Sequence, residues 1–145
     1  MQLNKFTDYA LRILVYISKP RDTPYTIAEL AKNLEVSQNH LVKIVHFMSK
    51  REWITTIRGK GGGMYLNNAT LELKLGEIVR TLQGDQQIVE CNNPPCVLRP
   101  NCQLKGILNQ ALEQFYLSLE QYSLGQVLNM SPEDQENSPI SFITL

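Results

Sequence analysis

The run WITTIRGKGGGMYL, Trp53 to Leu66, leaves a chain few ways to fold. WITTIR alternates and is rich in β-branched residues, GKGGG has to turn, and MYL returns, so residues 53 to 66 are expected to form a β-hairpin. Four glycines and Lys60 at its tip leave a backbone that can approach a phosphate closely, with Arg58 beside it.

What precedes the hairpin decides what it belongs to. Thr7 to Lys19 places Ala10, Ile13, Leu14 and Ile17 at helical spacing; Thr7 can cap, Asp8 lies at the positive end of the helix dipole, and Pro20 ends the run. Thr26-Ile-Ala-Glu29 has the capping-box form and opens a short second helix, lined on one face by Ile27, Leu30, Ala31 and Leu34. After Glu35 and Val36, Ser37 is the candidate N-cap of QNHLVKIVHFMSK, where Leu41, Ile44, Val45 and Met48 form the apolar stripe. Two short helices around a brief turn, the second with a polar first turn, make a helix-turn-helix; with a basic hairpin behind it, the pattern is a winged helix. Ser37, Gln38, Asn39, His40 and Lys43 are then the expected contacts in the major groove of double-stranded DNA, where Asn and Gln suit adenine edges. Arg58 and Lys60 are expected to hold phosphates or the minor groove, largely without regard to sequence.

Net charge is zero, which on its own argues against a nucleic-acid partner. The average hides an asymmetry. Up to Leu66 there are ten basic and five acidic residues, a balance of +5; the remainder, with four basic and nine acidic residues, carries −5. The basic half is the half that contains the winged helix.

LGEIVRTLQ, residues 75 to 83, is expected to be a short fourth helix. Gln103 to Tyr122 then sets Leu104, Leu108, Ala111, Leu112, Phe115, Leu119 and Tyr122 on one helical stripe, longer than a compact wing domain can cover, and is expected to pair with its copy in a homodimer. The expected fold is thus mainly α with a small β-hairpin: a winged helix-turn-helix over 1–83, a cysteine loop over 84–102, a long C-terminal dimerisation helix over 103–128 and a tail over 129–145. The tail, ending SPEDQENSPISFITL, mixes turn formers and acids and is expected to be loose until something docks it.

Every cysteine of the chain, Cys91, Cys96 and Cys102, lies in the single stretch CNNPPCVLRPNC. Three thiols cannot all pair in disulfides. The N-terminal MQLNKFTDYALRIL carries Asp8 and Arg12 where a secretory signal needs an unbroken apolar core, so the expected setting is cytoplasmic, with reduced thiols. No apolar run reaches the roughly 20 residues needed to span a bilayer, so no membrane role is expected. Pro94, Pro95 and Pro100 stiffen the loop without adding N–H donors. Structural zinc usually takes four ligands in CxxC-like knuckles, and here there is no CxxC, while His40 and His46 both lie in the proposed recognition helix. A thiol switch needs two cysteines and leaves the third unexplained. An iron-sulfur cluster tolerates wide spacings, irregular loops and a non-cysteine fourth ligand, and accounts best for all three. The chain shows no nucleophile–base pair, phosphate-binding motif or paired carboxylates in an enzymatic frame, so no catalysis is expected. A cluster-bearing electron carrier would need neither helix-turn-helix nor basic hairpin.

FTDYALRIL, SQNHLVKIV, IRGKGGGMYL and C-x4-C-x5-C before a long helix together resemble the iron-sulfur winged-helix repressors, over residues 1 to about 128. The likeness is strongest to the family's nitric-oxide-sensing members. It implies a homodimer that binds operator DNA while its cluster is present, 4Fe-4S rather than 2Fe-2S, and releases it when nitric oxide attacks the cluster; oxygen or iron supply is the alternative signal. In the family's iron-sulfur-assembly regulators a histidine three residues past the third cysteine completes the site. Here that position is Lys105, so the fourth ligand has to be Asp8, Asp85, Glu90 or a small molecule. Asp8, presented by the partner's first helix, is favoured because a hard carboxylate binds iron less tightly than thiolate and leaves that iron open to attack. As a helix N-terminal acid Asp8 also has a structural role open to it.

Overall fold

The computed structural model describes residues 1–129; the expected loose tail lies outside the described residues, apart from Asn129. Helix α1 spans Lys5–Ile17, α2 Ile27–Leu34 and α3 Gln38–Lys50; strands β1, Ile54–Ile57, and β2, Gly63–Leu66, form the hairpin. A 3-10 turn at Asn68–Glu72 leads into α4, Leu75–Gln83, and after the cysteine loop come α5, Leu104–Leu119, and α6, Leu124–Asn129.

Each helix start has a local cause. Thr26 Oγ1 accepts from the Glu29 N–H at 3.1 Å and Ser37 Oγ from the His40 N–H at 3.4 Å, so both expected caps are in place. Helix α1 differs: it begins two residues before Thr7, because Asn4 Oδ1 takes the Thr7 N–H at 2.7 Å and serves as the cap. Thr7 is instead fully buried, its hydroxyl without a partner. Between α2 and α3 the chain turns through Glu35, held at φ 54°, whose N–H returns to the Ala31 carbonyl.

The core is the set of stripes that periodicity marks. Ala10, Ile13, Leu14 and Ile17 of α1 meet Leu30 of α2 and Leu41, Ile44, Val45 and Met48 of α3, joined by Trp53, Ile54 and Met64 of the hairpin and by Ile78 and Leu82 of α4. Each such aliphatic side chain, fully buried, contributes about 1.5–3 kcal/mol. The hairpin pairs Ile54 with Leu66 and Ile57 with Gly63. It gains a third, one-residue partner, since Tyr25 and Met64 exchange backbone hydrogen bonds of 3.0 and 2.8 Å, tying the wing to the entry of α2.

The C-terminal helix is shorter than its stripe suggests. α5 stops at Leu119 because the following backbone pairs with the domain: the Leu75 N–H donates to Tyr122 O at 2.8 Å and the Leu124 N–H to Leu73 O at 3.0 Å. Leu124 then plugs the core, fully buried, as the first residue of α6. Against α4, the far end of α5 is held by Arg80, which forks onto Glu113 at 2.6 and 3.1 Å and lies over the Tyr116 ring at 4.2 Å. Gly76 permits that approach, as a Cβ there would collide with the Tyr116 carbonyl and the Glu120 side chain.

Candidate nucleic-acid interface and cysteine loop

Because α3 buries Leu41, Ile44, Val45 and Met48, its other face is left for solvent. Ser37, Gln38, Asn39, His40 and Lys43 are all exposed there, side by side at the start of the helix. Val42 is exposed on the same face, at 51%, far more than the residues of the buried stripe.

The wing tip carries Arg58 and Lys60, both exposed. Its turn closes through the Gly62 N–H to Gly59 O bond of 3.0 Å, with Gly59 at φ 92° and Gly61 at φ 75°, a region costly for other residues. A Cβ at Gly62 would strike the Ile57 carbonyl, so the turn depends on glycine for space as well. Helix α3 and the hairpin are joined to α1 through rings. Phe6 meets Phe47 edge-on at 5.2 Å and Phe47 meets Trp53 at 6.3 Å, with the Arg51 guanidinium 3.6 Å above Phe47.

The thiols sit on the loop between α4 and α5. Cys91 and Cys96 are half-buried, Cys102 is exposed, and none is in a disulfide. The Cys96 N–H donates to Cys91 O at 3.1 Å and the Arg99 N–H to Cys96 O at 3.2 Å, so two thiols flank one closed turn. Glu90 is committed to that turn: its Oε1 accepts from the Asn92 and Asn93 N–H groups at 2.6 and 3.1 Å, and these bonds hold its carboxyl below the usual range. Asp85 is exposed just beyond α4. Asp8 lies on α1, both oxygens engaged by Arg12, Nε at 3.0 Å and Nη2 at 2.9 Å. Among the described residues no three His, Cys, Asp or Glu side chains converge closely enough to hold one ion. Three free thiols on one loop are a soft donor set of the kind that iron-sulfur chemistry uses. Val97 stands 91% and Leu98 66% exposed between the second and third cysteines, apolar side chains that a lone subunit leaves in water. Among the described residues, no helix is long and apolar enough to cross a membrane.

Helix-turn-helix, hairpin wing and an appended helix define a winged-helix transcriptional regulator. The chain belongs to the Rrf2 family, described as iron-dependent transcriptional regulators, whose family model matches residues 3–130. It is similar to the HTH-type transcriptional regulator NsrR of Oceanobacillus iheyensis, 38% identical over 137 residues, covering 92% of this chain and 93% of that protein. The NsrR of Halalkalibacterium halodurans is 37% identical over 139 residues, 93% of this chain and 95% of that protein. Among solved structures, that of CymR, the global cysteine regulator of B. subtilis, superposes with a TM-score of 0.68 at 20% identity, over 90% of this chain and 98% of that one, a likeness of fold. This family membership makes the chain a regulator of transcription and not an enzyme.

Proposed function

We propose that the chain is a homodimeric repressor that binds double-stranded operator DNA while Cys91, Cys96 and Cys102 hold an iron-sulfur cluster of the 4Fe-4S type, and that nitric oxide is its signal. The observation that carries this reading is the single loop bearing all three reduced thiols directly ahead of α5, in a chain whose other half is a winged helix. When bound, the group supplies iron that nitric oxide can attack.

The chain's own residues do the rest. The apolar exposure of α5 supports dimerisation: only Tyr116 of the helix is buried, while Leu104, Ile107 and Leu117 face water. Gln38, Asn39, His40 and Lys43 approach the major groove, where Gln38 and Asn39 suit base edges, with Ser37 at the helix start, and Arg58 and Lys60 grip the backbone from the wing. Glu90 is held by two backbone N–H groups of its own turn and Asp8 by an exposed ion pair with Arg12 that costs little to break, so Asp8 of the partner subunit remains the favoured fourth ligand. Ligation there exchanges the Arg12 pairing for a tie between α1 and the other subunit's loop. Through Phe6, Phe47 and Trp53, a shift of α1 moves both reading helix and wing, and a small rotation suffices to misplace one of two half-sites spaced about 34 Å apart.

Iron and sulfide per chain, measured in anaerobically reconstituted Cys91→Ala, Cys96→Ala and Cys102→Ala, test the ligand set. Each variant is expected to lose the stable cluster; full retention in any one removes that cysteine. A second reading, iron supply as the signal, draws on the family's description as iron-dependent. Operator release by an iron chelator but not by stoichiometric nitric oxide would favour it.

A further inference from the structure

We propose that the concavity between the first turn of α1 and the start of α3 is a seat for a backbone phosphate of the duplex, made by Lys5 and Tyr9 together with His40 and Lys43. The inference rests on α3 being the reading helix. A cavity of about 190 Å³ lies there, lined by Lys5, Phe6, Tyr9, His40, Lys43 and Ile44. Two ammonium groups, an imidazole and a phenol surround an apolar floor of Phe6 and Ile44, with no carboxylate among them. Among the described residues neither Lys5 nor Lys43 takes part in an ion pair. The Tyr9 ring lies 6.3 Å from that of His40, tilted by 33°, at the edge of the polar first turn of α3.

Two physical points direct this cluster toward an anion on DNA. Lys5 is the first residue of α1, where a cation opposes the positive end of the helix dipole, and a bound phosphate would reverse that penalty. A helix about 10–12 Å across fills a major groove about 12 Å wide, so both backbones must pass close to the elements that flank it. Hairpin cations serve one flank. On α1, Lys5 and Tyr9 border the first turn of α3 and are available to the other.

Fluorescence anisotropy of an operator duplex and a scrambled duplex, from 50 to 300 mM salt, tests the seat, with Lys60→Ala for comparison. Lys5→Ala, at an exposed helix position, is expected to weaken both duplexes by the same factor. It should also flatten the slope of log K against log salt by about 1.8, near 0.9 for each of two seats per dimer. Lys5→Arg should restore the slope. If Lys60→Ala flattens the slope and Lys5→Ala does not, the seat is wrong while the reading of the winged helix stands. Should wild type bind operator no better than scrambled DNA, the winged-helix reading falls and the seat with it.

Discussion

Replacing Leu104 and Ile107 together by serine should separate the dimer while leaving each subunit folded. These side chains stand 56% and 60% exposed near the start of α5, so the fold of one subunit gains little from them. Full burial of a leucine or isoleucine contributes about 1.5–3 kcal/mol. Covering the exposed fraction of both, on both subunits, therefore amounts to about 3–7 kcal/mol of association free energy. Taking the low end, since area-based values are upper estimates, the double variant should raise the dimer dissociation constant by at least about a hundredfold. Sedimentation equilibrium over a broad concentration range reads that constant directly. Far-UV circular dichroism of the isolated monomer should match wild type, because Tyr116, Arg80 and Leu124 still hold α5 and α6 to the domain. An unchanged dissociation constant would refute the assignment of this face to the interface, and a variant that loses its helical spectrum would show that the side chains serve the subunit fold instead.

Other perturbations test other joints. Gly76→Ala puts a methyl group into the Tyr116 carbonyl and the Glu120 side chain, and is expected to cost about 1–3 kcal/mol in urea denaturation, through the α4–α5 contact. The Arg21 hydrogen bonds of 2.7 and 2.6 Å hold the Glu29 carboxyl below its ordinary value, so the stabilisation they bring is present above that value and lost as pH falls through the lowered one. Glu29→Gln should accordingly shift the urea midpoint at pH 7, with the gap from wild type closing only below about pH 4. Asp8→Ala should retain three-cysteine cluster binding yet shrink the difference in operator affinity between cluster-loaded and cluster-free protein; a full wild-type difference would leave Asp8 as Arg12's partner and nothing more.

Much of the fold was legible because each element closes on local chemistry. Thr26 and Ser37 mark true helix starts, residues 75 to 83 match α4, and the glycine turn compels the hairpin. Legibility ended where two local solutions competed or where partners were distant in sequence. Asn4 and Thr7 can both cap α1; burial of Thr7 decides for Asn4, and no short-range pattern reveals burial. The stripe through Leu119 and Tyr122 stays in helical phase, yet the backbone leaves the helix to pair with residues 73 to 75, some fifty positions away. At the site, the clustering of thiols was plain from spacing, as was the polar first turn of α3. The Glu90 turn, the exposure of Val42 and the meeting of Lys5 with Lys43 depend on tertiary geometry.

If the cysteine loop governs DNA binding, operator affinity depends on the cluster, and it can be measured anaerobically on one preparation in three states: cluster-loaded, cluster-free, and loaded then exposed to stoichiometric nitric oxide, with the visible spectrum recorded beside each titration. Tight, salt-sensitive binding is expected in the loaded state and at least a tenfold loss, about 1.4 kcal/mol, in the other two, the loss after nitric oxide tracking the bleaching of the spectrum. Equal affinity in all three states would contradict that dependence.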